Sequence, residues 1–260
     1  DNVCIKEIIV IASGCTDGTE LIAAKFSHLD SRIKVIIQNK REGKSSAINL
    51  FLKSSSSHIV VILNGDLILK DDTIQNLVEP FSDFRIGMTG GRAIPVNNAD
   101  NFMGFASYFL WEAHHKISLR YPKLGELIAY RKIPGLSFPA DTVDDEGIIE
   151  ALISEKGYIL KYVPLAVFYN RGPSLLSEFI KRRVNIFAGH LQLKRRTSYL
   201  VSTADPIKIF IALFCKIPGI AAWNLRYFAW TILVIFVEIY ARVLAMYDFY
   251  ILEKDHSIWD

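Results

Sequence analysis

Short apolar runs separated by polar, helix-compatible segments organise the N-terminal third of the chain. Residues 6–12 (KEIIVIA), 32–38 (RIKVIIQ) and 58–63 (HIVVIL) are continuous rather than alternating. That is the pattern of strands buried on both faces of a parallel sheet. Between and after them lie segments of helical character, 20–28, 44–54 and 71–81. Strands alternating with helices of this length predict βαβ units, hence an α/β domain with an open, mostly parallel sheet and helices on both faces. Ligands of such sheets bind beyond the carboxyl ends of the strands. Residues 13–17, 39–44 and 64–66 all fall at those ends.

The pattern then loosens. Residues 86–92 (IGMTGGR) read as a Gly-rich strand end that lets a ligand or backbone approach closely. Helical periodicity over 101–119 precedes a strand over 125–132 (GELIAYRK) and a helix over 144–156 with an acidic first turn. Two short strands, 158–162 and 166–169, flank Pro164, and Pro173 starts a helix running to about Arg196. No internal repeat or low-complexity linker interrupts this order.

Past residue 205 the apolar content rises. Residues 207–215 predict one apolar helix, and 228–237 (FAWTILVIFV) another. At ~1.5 Å per residue the second covers ~15 Å, half a bilayer core. Lengthening it takes in Arg226, Glu238 and Arg242, each costing on the order of 2.5–3.5 kcal/mol near the bilayer centre. Glu238 and Arg242 are spaced to pair on one helix face. With Trp223 and Trp230 nearby, the segment predicts helices lying in or against a membrane interface. A single tilted span and a buried pair of soluble helices are the alternatives.

At 260 residues the chain has room for one large domain, or for a domain with an appendage. A division into 1–200 and a membrane-proximal 201–260 fits the hydropathy, whose mean is +0.24 with 51% hydrophobic residues. A net charge of +3 is too small to argue for nucleic acid as a partner. Positive charge concentrates at Lys181-Arg182-Arg183 and Lys194-Arg195-Arg196, ordinarily a solvated helix face. Cys4, Cys15 and Cys215 show no metal spacing and read as unpaired thiols of a reducing compartment.

Residues 39–49 (NKREGKSSAIN) carry the clearest chemistry. A basic, Gly-containing turn opening a helix suits a phosphate, because free N–H groups and the helix dipole favour an anion. Arg41 and Lys44 are unfavourable at a helix start unless an anion joins them. Asp66, after the next apolar run, suits a divalent cation that neutralises that phosphate, although Asp is also a common turn residue. Together these predict a nucleotide diphosphate and a metal ion at one rim. His114-His115 lacks the i,i+4 spacing of a helical zinc pair and reads as packing or surface.

Six segments in order resemble family 2 glycosyltransferases of the GT-A fold. They are Ser13-Gly14-Cys15-Thr16-Asp17-Gly18-Thr19; Arg-Glu-Gly-Lys-Ser-Ser-Ala-Ile-Asn at 41–49; Asn64-Gly65-Asp66; Gly87-Met88-Thr89-Gly90-Gly91-Arg92; Asp145-Glu146 before Gly157-Tyr158; and Arg182-Arg183-Val184-Asn185-Ile186 with Gly189-His190 after it. The resemblance implies inverting transfer of a sugar from a nucleotide-diphosphate donor to a glycan or lipid-linked acceptor, at the cytoplasmic face of a cell membrane. It implies that Asp66, with Asn64 in the same motif, holds Mg²⁺ or Mn²⁺. Asp17, Arg41 and Lys44 would lie at the donor nucleotide and phosphates. Asp145 or Glu146 would be the general base, and a helix bearing Arg183 and His190 would close over donor and acceptor.

The chain also departs from that family. Asn64 stands where the metal motif has its first Asp, and Ala12 or Ser13 where a nucleotide-binding Asp is usual. The acidic pair runs Asp-Glu, and Asn185 and Ile186 replace an Arg and an aromatic. Family members begin with a further strand, so the chain is expected to be a piece of a longer protein. The departures leave open a degenerate, non-catalytic binding or scaffold domain of the same fold. A nucleotidyltransferase shares the phosphate and metal logic.

Overall fold

The structure, a computed structural model, describes residues 3–139, 141–205, 208, 225–254 and 256. Strands β1 (Ile8–Ser13) and β2 (Ile33–Gln38) pair in parallel from Ile8↔Ile33 to Ser13↔Gln38, joined by helix α1 (Thr19–Leu29). Helix α2 (Lys44–Ser54) leads to β3 (Ile59–Leu63), the edge of a second, five-stranded sheet. Its order is β3-β6-β5-β7-β4, with β4 at Ile68–Leu69, β5 at Ile86–Pro95, β6 at Leu127–Arg131 and β7 at Ile159–Asn170. Helices α3 (Thr73–Val78), α4 (Phe102–Arg120), α5 (Asp145–Glu155) and α6 (Leu176–Thr197) connect and cover these strands.

The expected α/β architecture is present, and its sheet is mixed. β5 and β7 run parallel, whereas β6 runs antiparallel to both β3 and β5. That reversal matters for function. β6 begins at the rim where β3 ends, and Leu63 lies opposite Leu127.

Alternation along β6 builds the core on both faces. Ile128 and Tyr130 join Ile48 and Leu52 of α2 and Ile149 and Ile153 of α5 on one side. Leu127 and Ala129 join Leu77, Phe81 and Phe168 on the other. Side chains of a strand point alternately to opposite faces, so four successive residues at 0–1% exposure serve two cores.

The two short strands expected around Pro164 form one long β7. Its register against β5 jumps from Gly90↔Tyr162 to Arg92↔Val167, so residues 163–166 form a bulge opposite Gly91. A proline is tolerated at such a bulge because the ladder needs no N–H there. Gly91 permits it: a Cβ at that position would lie 2.6 Å from the Ala166 carbonyl oxygen.

The C-terminal helix α7 (Leu225–Tyr250) is longer than its apolar centre predicts. Val234 and Val237 pack with Phe105, Phe109 and Phe179 of α4 and α6, while Ala241 and Ala245 pack with Val184 and Phe187. Glu238 does not pair with Arg242 along the helix. Arg183 of α6 takes it instead, Nη2 donating to Oε2 at 2.8 Å with Nε 2.7 Å from Oε1. A charge-assisted hydrogen bond across the α6–α7 seam thus replaces the same-helix pair. Arg242 lies over the Phe187 ring, 4.4 Å from its centroid. The apolar helix expected over 207–215 falls, apart from Lys208, outside the described residues.

Candidate active site

The loops at the strand ends converge on one cavity of about 1040 Å³. Ser13 lines it from the end of β1, Arg41, Gly43 and Lys44 from the turn into α2, and Asn64 and Gly65 from the end of β3. Its far wall carries Glu126, Asp144, Glu146, Arg182, Arg183 and His190. Its floor is formed by Ile235, Glu238, Ile239 and Arg242 of α7.

Two glycines set the phosphate-like side of this space. Gly14 has φ +57 and donates its N–H to the Gln38 carbonyl at 2.9 Å. A Cβ there would stand 2.6 Å from the Arg41 nitrogen, so the loop after β1 rests directly on the loop after β2. Gly43, with φ 86, is the N-cap of α2 and offers no side-chain acceptor to its first amides. Those amides remain open to an external anion.

Lys44 reaches across to the start of α5. Its Nζ lies 2.5 Å from Glu146 Oε1 and 3.8 Å from Asp145 Oδ2. Successive helical residues diverge by ~100°, and the acidic pair is split accordingly. Glu146 faces the cavity, whereas Asp145 turns to α2 and accepts a 2.6 Å hydrogen bond from Ser45 Oγ. Burial pushes the Asp145 carboxyl up, against the pull of Lys44. Burial acts the same way on Glu146, but there the Lys44 ammonium prevails and holds it below the usual carboxylate range. Glu146 is therefore the member of the pair that is ionised and facing open space.

Three positions close the far wall. Asp144 caps α5 through the Gly147 N–H at 2.8 Å, and its other oxygen lies 3.7 Å from His190 Nε2. His190 Nδ1 and Asp144 Oδ2 have no hydrogen-bond partner among the described residues. Burial lowers His190 to about 4, with Asp144 opposing, so the imidazole is neutral near pH 7. Glu126, in the left-handed region at φ 59, accepts from Arg182 Nη2 and from Asn170 Nδ2, each at 2.6 Å. A non-glycine residue held there stores on the order of 1–3 kcal/mol of strain, typical of functional sites.

The expected residues therefore divide. Arg41, Lys44, Asn64, Glu146, Arg183 and His190 all line the cavity. Asp145 stands behind it, and Asp66 is exposed beside it on the Asn64–Gly65 turn. Asp17 is exposed and committed to its own turn, accepting from Thr19 Oγ1 at 2.6 Å and Thr19 N at 3.1 Å. His114 lines the cavity as well, whereas His115 is not among its lining residues. Burial lowers His114 to about 3, and His115 Nδ1 lies 2.9 Å from the Tyr162 hydroxyl.

Sequence reasoning did not single out Glu126, Asp144 or Lys123. Lys123 is buried 3.3 Å from Glu150 in the same wall. A Glu directly after Gly125 at a strand start was the available signal for the first. No group of three or more His, Cys, Asp or Glu that could hold a metal occurs among the described residues. One exposed carboxylate, Asp66, beside a neutral amide does fit a Mg²⁺-like ion completed by substrate phosphates and water, rather than an all-protein cage.

Strand-end loops thus open on one cavity with Glu146 opposite them. The chain belongs to glycosyl transferase family 2, whose profile matches residues 3–140. It is 24% identical over 227 residues to the poly-beta-1,6-N-acetyl-D-glucosamine synthase of Staphylococcus aureus, covering 83% of this chain and 55% of that protein. The chain thus spans about half the length of that curated relative. Glycosyltransferase AglE of Haloferax volcanii is 28% identical over 85 residues, 33% of this chain and 28% of that one. Among solved structures, the mannosyltransferase of Pyrobaculum calidifontis in complex with GDP-Man and Mn²⁺ matches with a TM-score of 0.65. That match is at 21% identity and covers 93% of this chain and 78% of that one.

Proposed function

We propose that this domain catalyses inverting transfer of a sugar from a nucleotide-diphosphate donor to a glycan or lipid-linked acceptor, with Glu146 as general base. The observation that carries the reading is the single cavity holding Arg41, Lys44 and the Asn64–Gly65 turn on one side and an ionised Glu146 on the other. The open amides of α2 with Arg41 and Lys44 receive the diphosphate. Glu146 accepts the proton of the acceptor hydroxyl as its oxygen attacks the anomeric carbon from the opposite side, a contribution of ~10²–10⁴ in rate. Asp66, beside Asn64, would hold Mg²⁺ or Mn²⁺, which supplies charge neutralisation of the leaving diphosphate.

Arriving phosphate competes for Lys44. While Lys44 is bound to Glu146 it keeps that carboxylate ionised, and a diphosphate that draws it away leaves the base more strongly proton-accepting. Arg183 and His190 on α6 border the acceptor side. Residues 201–260 act as a membrane-proximal unit on the cytoplasmic face. α7 is long and apolar enough to cross a membrane by length and composition, and it exposes Phe228, Ile232, Phe236, Tyr240 and Val243. Its contact with α4 and α6 favours a helix lying against the domain at the interface.

The test is turnover of GDP-mannose, UDP-glucose and UDP-N-acetylglucosamine with Mn²⁺, in the wild type and in Glu146→Gln and Asp66→Ala. Metal-dependent turnover abolished by both variants is expected. Binding without turnover in the wild type would favour the non-catalytic domain, for which Asn64 in the metal motif is the specific motive.

A further inference from the structure

Glu126 has no role in the chemistry above, yet it sits in the middle of the cavity wall. The β3–β6 ladder ends at Leu63 opposite Leu127, so Asn64 and Glu126 are the residues just beyond its last pair, and both line the cavity. Glu126 thus shares the cavity with the turn bearing Asp66. Glu146 lines the same cavity, and the Arg182 guanidinium is paired with the Glu126 carboxylate at 2.6 Å. Glu126 therefore lies between the metal-motif turn and the base.

That interval has a defined occupant if the proposed transfer is right, and the inference rests on that reading. The diphosphate lies at the strand-end loops, and the acceptor oxygen lies at Glu146. The sugar being transferred must span them.

A buried carboxylate only accepts hydrogen bonds, so the ligand group facing it must be a donor and must not be anionic. Sugar hydroxyls meet both conditions and phosphate meets neither. A carboxylate has about four lone-pair positions, and Arg182 and Asn170 use one on each oxygen. Those two partners come from α6 and from the end of β7, so two separate elements fix the carboxylate's direction before any ligand arrives. Its side chain retains 13% exposure, enough for contact with the cavity.

We infer that Glu126 is a sugar-binding residue, accepting hydrogen bonds from ring hydroxyls of the transferred hexose and selecting donors by the placement of those hydroxyls.

The experiment compares binding of nucleoside diphosphates with binding of their sugar conjugates. Calorimetric affinities of GDP, UDP, GDP-mannose and UDP-glucose with Mn²⁺ are measured for the wild type, Glu126→Gln and Glu126→Asp, on the full chain. The Asp variant keeps the charge and suits the left-handed backbone, but withdraws the carboxylate by ~1.5 Å. Thermal unfolding tests that both variants are folded. The expected result is a 10–100-fold loss of affinity for the preferred sugar conjugate in both variants, with the parent diphosphate bound within about twofold of wild type.

Equal losses for the diphosphate and its conjugate would overturn the proposal, because a purely structural anchor for Arg182 weakens the whole site. An unchanged preference for the conjugate in either folded variant would overturn it as well, as would a wild type that binds a diphosphate no less tightly than its sugar conjugates. A wild type that binds no diphosphate at all removes the transferase reading itself, a different failure. If neither variant folds, Asn170→Ala and Arg182→Lys, which free the carboxylate without deleting it, must lower conjugate affinity more than diphosphate affinity, or the assignment falls.

Discussion

Lys44 and Glu146, at the starts of α2 and α5, are joined by an ion pair with Nζ 2.5 Å from Oε1. The helix start that is open to an anion and the acid that faces it across the cavity are electrostatically one unit. Removing the ammonium leaves burial as the dominant influence on Glu146, and its pKa rises. Since the proposed base acts deprotonated, the acidic limb of the kcat/KM profile of Lys44→Ala should move to higher pH, with donor KM raised about tenfold. A pH series from 5 to 9 checks both. Glu146→Gln should lower kcat by ~10²–10⁴ while donor KM falls, because Lys44 is released to the diphosphate.

Gly14→Ala should act on donor binding alone. The added methyl meets the Arg41 backbone at 2.6 Å in a conformation with φ +57 that alanine resists. Displacing the turn before α2 should raise donor KM by ~10-fold or more while kcat at saturating donor falls little. Steady-state kinetics with varied donor test this.

Two neutral, buried histidines should make the protein acid-sensitive well above the carboxylate range. His190 is lowered to about 4 and His114 to about 3, both by burial, from an ordinary value of 6.5. Below pH 6.5 the unfolded chain binds these protons and the folded one does not. Stability is therefore full above pH 6.5 and falls as pH drops toward 4, by up to ~1.4 kcal/mol per pH unit for each group. Denaturant unfolding at pH 7.5, 6 and 5 should show this slope, and His190→Gln should reduce it.

The α6–α7 seam depends on two alanines. Ala241 and Ala245 are fully buried against Val184 and Phe187. Ala241→Leu should cost ~1–3 kcal/mol by overpacking, read as a lowered unfolding midpoint in detergent. The outward face of α7 is unaffected, so sedimentation with anionic phospholipid vesicles should persist in that variant. Phe236→Asp, at a 68% exposed position, should weaken sedimentation without lowering the midpoint.

Much of the fold was legible because buried strands are written as unbroken apolar runs. The runs at 6–12, 32–38 and 58–63 became β1, β2 and β3 with small shifts at their ends. Strand direction was not legible. The direction of β6 depends on where the chain re-enters the sheet after α4, which no local pattern encodes, and so the placement of Glu126 beside Asn64 could not be foreseen. The acidic pair illustrates the same limit at finer scale. Its location at a helix start was readable, but which member faced the cavity depended on how α5 is rotated against Ser45. Asp17 went the other way: a sequence neighbour, Thr19, absorbs its carboxylate more cheaply than a distant ligand would.

The floor of the cavity belongs to α7, through Ile235, Glu238, Ile239 and Arg242. Trimming the protein before Leu225 to obtain a more tractable enzyme would leave a chamber with its bottom knocked out and Arg183 without its carboxylate. The apolar helix and the cavity share a wall, and solubility gained by discarding the first is taken from the second.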